Sequence, residues 1–171
     1  EIHFKGPGTD LKVGLADDHE WMGGASMSQN GVICNPNIPS EEVFTTPHAL
    51  RVEGHVSSTK PLSHQGTLID NIRVIFEKGT ITEAKATKGE TVLNKVLDSD
   101  EGARRLGEVA LVPNSSPISK SGLLFYNTLF DENAACHIAL GQCYSKCFKG
   151  EKNLSASEIS SKGGNSSMIH I

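Results

Sequence analysis

The residues that most constrain how this chain can fold are ionisable groups embedded in apolar sequence between Asp100 and Tyr144. Glu108 stands between Gly107 and the run Val109-Ala110-Leu111-Val112, and His137 stands between Cys136 and Ile138. Segments of this composition become buried in a compact fold, where an unpaired charge costs on the order of several kcal/mol. The fold therefore has to supply each group with an opposite charge or a cation. Carboxylates and imidazoles together form a donor set that suits zinc, cobalt or manganese. Plainer readings stand beside this one. Glu108 can pair with Arg104 or Arg105, His137 can be a satisfied core histidine, and Glu132 can be a charge favoured by the start of a helix.

The pattern along the chain is mostly that of strands. Ile2 and Phe4, then Leu11, Val13 and Leu15, then Trp21 and Met22 before Gly23-Gly24 read as short strands joined by tight turns. Leu68, Ile72, Val74 and Phe76 share one parity, and Glu77-Lys78-Gly79-Thr80 turns the chain into Ile81–Ala86, which predicts an antiparallel hairpin. Leu93, Val96 and Leu97 place a helix over about Glu90–Leu97, with a further turn or two over Glu101–Leu106. Glu108–Val112 then reads as a strand closed by Pro113, Leu123–Tyr126 as another strand, and Asp131 to about Lys146 as a helix. The stretch Gly150–Ser167, rich in Ser, Lys and Gly, predicts a mobile excursion. The fold class expected is α+β, a mixed and largely antiparallel sheet with flanking helices.

If Asp131 onward is helical, His137 and Tyr144 lie two turns apart on nearly one face and look into one cavity. Tyr144 is equally well read as an ordinary amphipathic core residue. Glu41-Glu42 precedes Val43-Phe44, and in extended chain one of the two must point toward whatever the strand buries. Asp17-Asp18-His19-Glu20 is the densest run of possible ligands. Adjacent residues in extended chain alternate faces, so this run reads as a surface turn or substrate rim rather than a metal site.

Bulk properties remove several function classes. With 16 Lys+Arg against 20 Asp+Glu and the basic residues scattered, no stripe exists to track phosphates, so nucleic acid is not an expected partner. The longest apolar runs fall far short of the roughly 20 residues that span a bilayer, and no signal-peptide pattern is visible, so no membrane association and a cytoplasmic location are expected. Cys34, Cys136, Cys143 and Cys147 lack the paired spacing of zinc ribbons or redox motifs and read as reduced thiols. Sequons at Asn114, Asn153 and Asn165 carry no weight in such a protein. Length fits one domain, residues 1–171, although strand-like sequence at Glu1–Phe4 and an apolar run at Met168–Ile171 suggest truncation at both ends.

Four segments carry a family resemblance. Trp21-Met22-Gly23-Gly24, the stretch from Asn35-Pro36-Asn37-Ile38-Pro39-Ser40 through Glu41-Glu42-Val43-Phe44-Thr45-Thr46-Pro47, Asp100–Pro113 and Leu124–Gly141 resemble the thermophilic-type metallo-aminopeptidases, peptidase family M29. The likeness runs from about residue 12 to the end. It implies a C-terminal catalytic domain preceded in the whole protein by an α/β domain, two divalent metal ions (Zn, Co or Mn), peptide substrates with a free N-terminus, and a homodimer. Carried onto matching positions, the metal ligands are Glu42, Glu108, Glu132, His137 and His170, and Tyr144 matches the active-site tyrosine. Glu42 is the nominee for general base. The family pattern continues after the last histidine as His-x-Asp, and the sequence stops one residue short of that aspartate, at Ile171. Two expectations follow: an aminopeptidase working through metal-activated water at a dinuclear site, or an impaired fragment that retains only oligomerisation or peptide binding.

Overall fold

The computed structural model describes residues 1–38, 41–150 and 154–171. Alternating sequence near the N-terminus builds β1 (Ile2–Gly6) and β2 (Thr9–Leu15), a hairpin that turns Leu11 and Val13 fully inward. Short strands follow: β3 (Met22–Gly23), the paired β4 (Ser26–Met27) and β5 (Ile33–Cys34), and β6 (Val43–Thr45). The long β7 (Pro47–Ser57) leads to two hairpins, β8 (Leu62–His64) with β9 (Thr67–Ile69), and β10 (Arg73–Glu77) with β11 (Thr80–Lys85). The second of these turns where the sequence places it. Gly79 has φ 80°, and a Cβ there would lie 1.9 Å from the Ala49 carbonyl oxygen, so only glycine fits.

Helix α1 (Glu90–Leu97) buries Leu93 and Leu97, and a 3-10 turn over Glu101–Arg104 delivers the chain to β12 (Leu106–Leu111). The remaining elements are short: α2 (Pro117–Ser121), α3 (Thr128–Asp131), β13 (His137–Leu140) and α4 (Ala156–Ser161). Two larger sheets form, a five-stranded one in the order β1-β2-β7-β10-β11 and a four-stranded one in the order β13-β12-β6-β3. Every strand pairing among the described residues is antiparallel. The main core takes Leu11, Val13, Val52, Val74, Phe76 and Ile81 from the first sheet, Leu93 and Leu97 from α1, and Leu106 and Val109 from β12. The α+β architecture expected from sequence is the one that forms, and α1 spans the residues the pattern suggested.

Three local expectations are overturned. The helix over Asp131–Lys146 does not form. α3 ends at Asp131, a 3-10 turn covers Glu132–Ala134, and His137–Leu140 is the strand β13. The backbone of β12 needs partners along that edge, and pairing Glu108–Ala110 with His137–Ala139 supplies them, which outweighs the intrinsic helix preference of the segment. Gly141, at φ 98°, then turns the chain away. Tyr144 therefore shares no helix face with His137.

Leu123–Tyr126 is not a strand, because the Asp131 carboxylate accepts the Phe125 and Asn127 backbone N–H groups at 2.7 and 3.0 Å in place of a ladder. Gly150–Ser167 is more than an excursion. From Leu154 onward it contains α4, opened by a capping box between Ser155 and Glu158, and Ile159 packs with Ala16, Cys143 and Phe148. Asn165 is buried there, whereas the sequon at Asn153 and the motif residues Pro39 and Ser40 lie outside the described residues.

Candidate metal centre

β12 is the axis of the site. It is flanked by β6 and β13 and packs on the main core, so every residue from Leu106 to Ala110 is buried, Glu108 included at 5% exposure. The ladder with β13 slips between Leu106 and Glu108, with Gly107 at the irregularity. A Cβ on Gly107 would lie 2.3 Å from the Gln142 carbonyl oxygen, so the close approach of the following turn requires glycine. Glu42 comes from the residue before β6 and is 8% exposed, while Glu41 faces solvent. Arg104 pairs with Asp98, and Arg105 donates to the Ala49 carbonyl, so neither arginine takes up the carboxylate of Glu108.

His137 opens β13 opposite Ala110. Ligand atoms of Glu42, Glu108 and His137 all lie within 4.8 Å of one another. His170 reaches the same place on the C-terminal tail, which bridges to Gly141, and its Nε2 lies 3.1 Å from Glu108 Oε2. Glu132, in the 3-10 turn after α3, accepts from Asn37 Nδ2 at 3.2 Å and feels the charges of Glu42 and Glu108. Of the five residues carried over from the family resemblance, Glu42, Glu108 and His137 thus share one cluster, His170 contacts Glu108, and Glu132 stands near enough to feel their charges. Asp17, Asp18 and His19 do not join them: they turn to Arg51, Lys162 and the Ala16 carbonyl.

The histidines are set for ligation. His137 Nδ1 donates to the Ala135 carbonyl at 2.9 Å and His170 Nδ1 to the Gln142 carbonyl at 2.8 Å, so in the neutral ring the lone pair is on Nε2, the atom directed into the cluster. His137 Nε2 is buried and lies 3.2 Å from Glu42 Oε1, an ion pair when the ring is protonated. A lone pair facing a carboxylate oxygen at this distance is repulsive unless a proton or a cation lies between them. Separations of this size match two ligand atoms each about 2.0–2.2 Å from a shared divalent ion. The residues present fit such an ion.

Without a cation the cluster holds protons instead. Burial and the neighbouring Glu42 and Glu108 push the Glu132 carboxyl up to about 7, against the opposing pull of His137 and Asn37. Burial works against the His137 imidazolium, yet Glu42, the Ala135 carbonyl and Glu108 prevail and raise it to about 9. His170 rises likewise, with burial outweighed by Glu108 and the Gln142 carbonyl. Burial, then the charges of Glu108, Glu132 and Glu42, pushes the Tyr144 phenol up to about 12, so it is a neutral donor at ordinary pH. Its ring stands 4.7 Å from that of His170 and 5.5 Å from that of Phe44.

The profile of the thermophilic metalloprotease family (M29) matches residues 1–171. The chain belongs to this family. Aminopeptidase T of Thermus thermophilus is 56% identical over 170 residues, which is 99% of this chain and 41% of that protein. Aminopeptidase 2 of Geobacillus stearothermophilus is 50% identical over 171 residues, again 41% of its length. The solved structure of wild-type AmpT from Thermus thermophilus, 56% identical in sequence, superposes with a TM-score of 0.91, covering 99% of this chain and 41% of that one. This M29 chain therefore spans about two fifths of the length of the relatives it matches. M29 membership carries the use of divalent metal, in agreement with the Glu42, Glu108 and His137 cluster.

Sequence reading missed Asn37 and Lys146 as neighbours of the centre. Asn37 lies inside one of the family segments, but its contact with Glu132 depends on a loop far away in sequence. Nothing in the local pattern singles out Lys146, whose ammonium rests over the Phe44 and Tyr144 rings.

Proposed function

We propose that this chain forms the catalytic centre of a metal-dependent aminopeptidase that removes N-terminal residues from peptides. The observation that carries the reading is the buried cluster of Glu42, Glu108 and His137, extended by His170, with both imidazole Nε2 atoms facing carboxylates. Glu42, Glu108, Glu132, His137 and His170 would hold two divalent ions, Zn, Co or Mn. When bound, such ions lower the pKa of water and polarise a carbonyl. The chain's own groups supply the rest. Acidic side chains attract the protonated N-terminus of a peptide, which restricts cleavage to the first residue.

Glu42 accepts the proton of the attacking water and returns it to the amine that leaves as the C–N bond breaks. The Tyr144 hydroxyl donates to the carbonyl oxygen as negative charge builds there, an interaction that strengthens toward the transition state. The same reading makes the whole protein a cytoplasmic homodimer in which this C-terminal domain follows an α/β domain. Among the described residues no helix is long and apolar enough to cross a membrane.

The test uses the full-length protein. Elemental analysis is expected to find two divalent ions per chain, and hydrolysis of a leucine anilide is expected to stop on chelation and in Glu108→Gln. Hydrolysis that survives both treatments would remove the basis for this function.

A further inference from the structure

Tyr144 lies in a loop rather than on a helix, so something other than helix geometry must aim its ring. Its backbone is held by Thr46, whose hydroxyl donates to the Tyr144 carbonyl at 3.2 Å, but the side chain is 37% exposed. Three aromatic and cation–π contacts of the ring are found among the described residues. Phe44 and His170 stand 5.5 and 4.7 Å away, centroid to centroid, tilted at 59° and 51°. The third is Lys146, whose Nζ lies 4.8 Å from the Phe44 centroid and 5.3 Å from that of Tyr144.

Lys146 is held in place by its own neighbour. It sits in the 3-10 turn Ser145–Cys147, and Cys147 is fully buried against Phe44 and Ala110. Phe44 in turn is fixed on β6 opposite Ala110, two residues from Glu42. An ammonium against the electron-rich faces of two rings is attracted to both, and it joins the ring pair from the solvent side. A line of contacts then runs from Lys146 through Tyr144 to His170 and Glu108.

We propose that Lys146 is a positioning residue for Tyr144: its ammonium braces the Phe44–Tyr144 ring pair and keeps the phenol turned toward the carboxylate cluster. The assignment rests on the aminopeptidase reading for its effect on rate, and on geometry alone for its effect on the ring. In the metal-loaded full-length enzyme, Lys146→Met is expected to lower kcat about two- to fivefold at unchanged KM, the range of an exposed cation–π contact. Lys146→Arg should restore the rate, and Lys146→Met should change nothing further in a Tyr144→Phe background. An effect on KM alone, or an undiminished fall in kcat in that background, would overturn the proposal.

A second measurement does not depend on turnover. In NMR spectra of the metal-free full-length protein, the Lys146 ε-methylene signal is expected upfield of the other lysines through ring currents. Lys146→Met is expected to move the Tyr144 ring signals, and Lys146→Arg to leave them. Tyr144 signals indifferent to Lys146→Met overturn the assignment whatever the activity does. Absence of hydrolysis in the wild-type enzyme would instead sink the aminopeptidase reading and leave the ring signals to decide this one.

Discussion

At the scale of single residues, the site depends on which side chain of a pair faces inward and which atom of a ring faces the carboxylates. Glu42 is buried and Glu41 exposed because adjacent residues of extended chain point to opposite faces; that one of the two must face inward was legible from the strand that follows, and the family resemblance named Glu42. That Nε2 of His137 and of His170 is the atom turned to the carboxylates was not legible, because it follows from backbone carbonyls at Ala135 and Gln142 that take the other ring nitrogen. His137→Ala should weaken cation binding by at least about 10- to 100-fold, the cost of losing even an indirect support of a ligand, as read by titration calorimetry on the full-length protein. Tyr144→Phe should lower kcat about 10²-fold with little change in KM, because its hydroxyl is assigned to charge that appears only in the transition state. An unchanged kcat in that variant would remove Tyr144 from the chemistry.

At the scale of elements, the turn before β12 and the C-terminal tail are tied together, and this is what brings His170 to Glu108. Asp100 caps the Glu101–Arg104 turn by accepting from the Ala103 N–H at 2.9 Å, and its other oxygen accepts from the Met168 N–H at 2.7 Å and the Ser167 hydroxyl at 2.9 Å. The Met168 N–H above all, together with Ser167, holds the Asp100 carboxyl below its ordinary value despite some desolvation. A carboxyl lowered on folding stabilises the fold above its unfolded value, and that stabilisation fades as pH falls through the lower folded value. Wild-type protein should therefore lose more stability than Asp100→Asn when pH is taken from about 6 to below about 4, as read by denaturant titration. Equal losses in the two would deny the clamp.

Gly107 belongs to the same scale. A methyl group there would meet the Gln142 carbonyl, which also receives the His170 Nδ1 proton. Gly107→Ala is expected to cost about 1–3 kcal/mol of stability from overpacking. It should weaken cation binding at the same time, a pairing of effects that a purely structural defect elsewhere would not produce. The helix expected over Asp131–Lys146 failed at this scale as well. Local preference cannot register that β12 has an edge to fill, and pairing along that edge makes the segment a strand.

At the scale of the whole molecule, residues from Glu42 to His170 must fold together before a cation has a site, so cation binding and folding are linked. At free cation about 100-fold above its dissociation constant, each site should add about 2.7 kcal/mol to stability, seen as a rise in Tm that a chelator reverses and His137→Ala diminishes. A melt indifferent to cation and chelator would be incompatible with the site. What the sequence determined by itself was the antiparallel hairpins, α1, the strand nature of β12 and the family to which the chain belongs, because those depend on neighbours within a few residues or on motifs read directly. Only the tertiary structure decided that the segment after Asp131 becomes β13, that the serine-rich stretch from Leu154 packs as α4, and that Asn37 and Lys146 border the centre. Those outcomes depend on partners far apart along the chain, whose hydrogen bonds and contacts exist only after the two sheets have met.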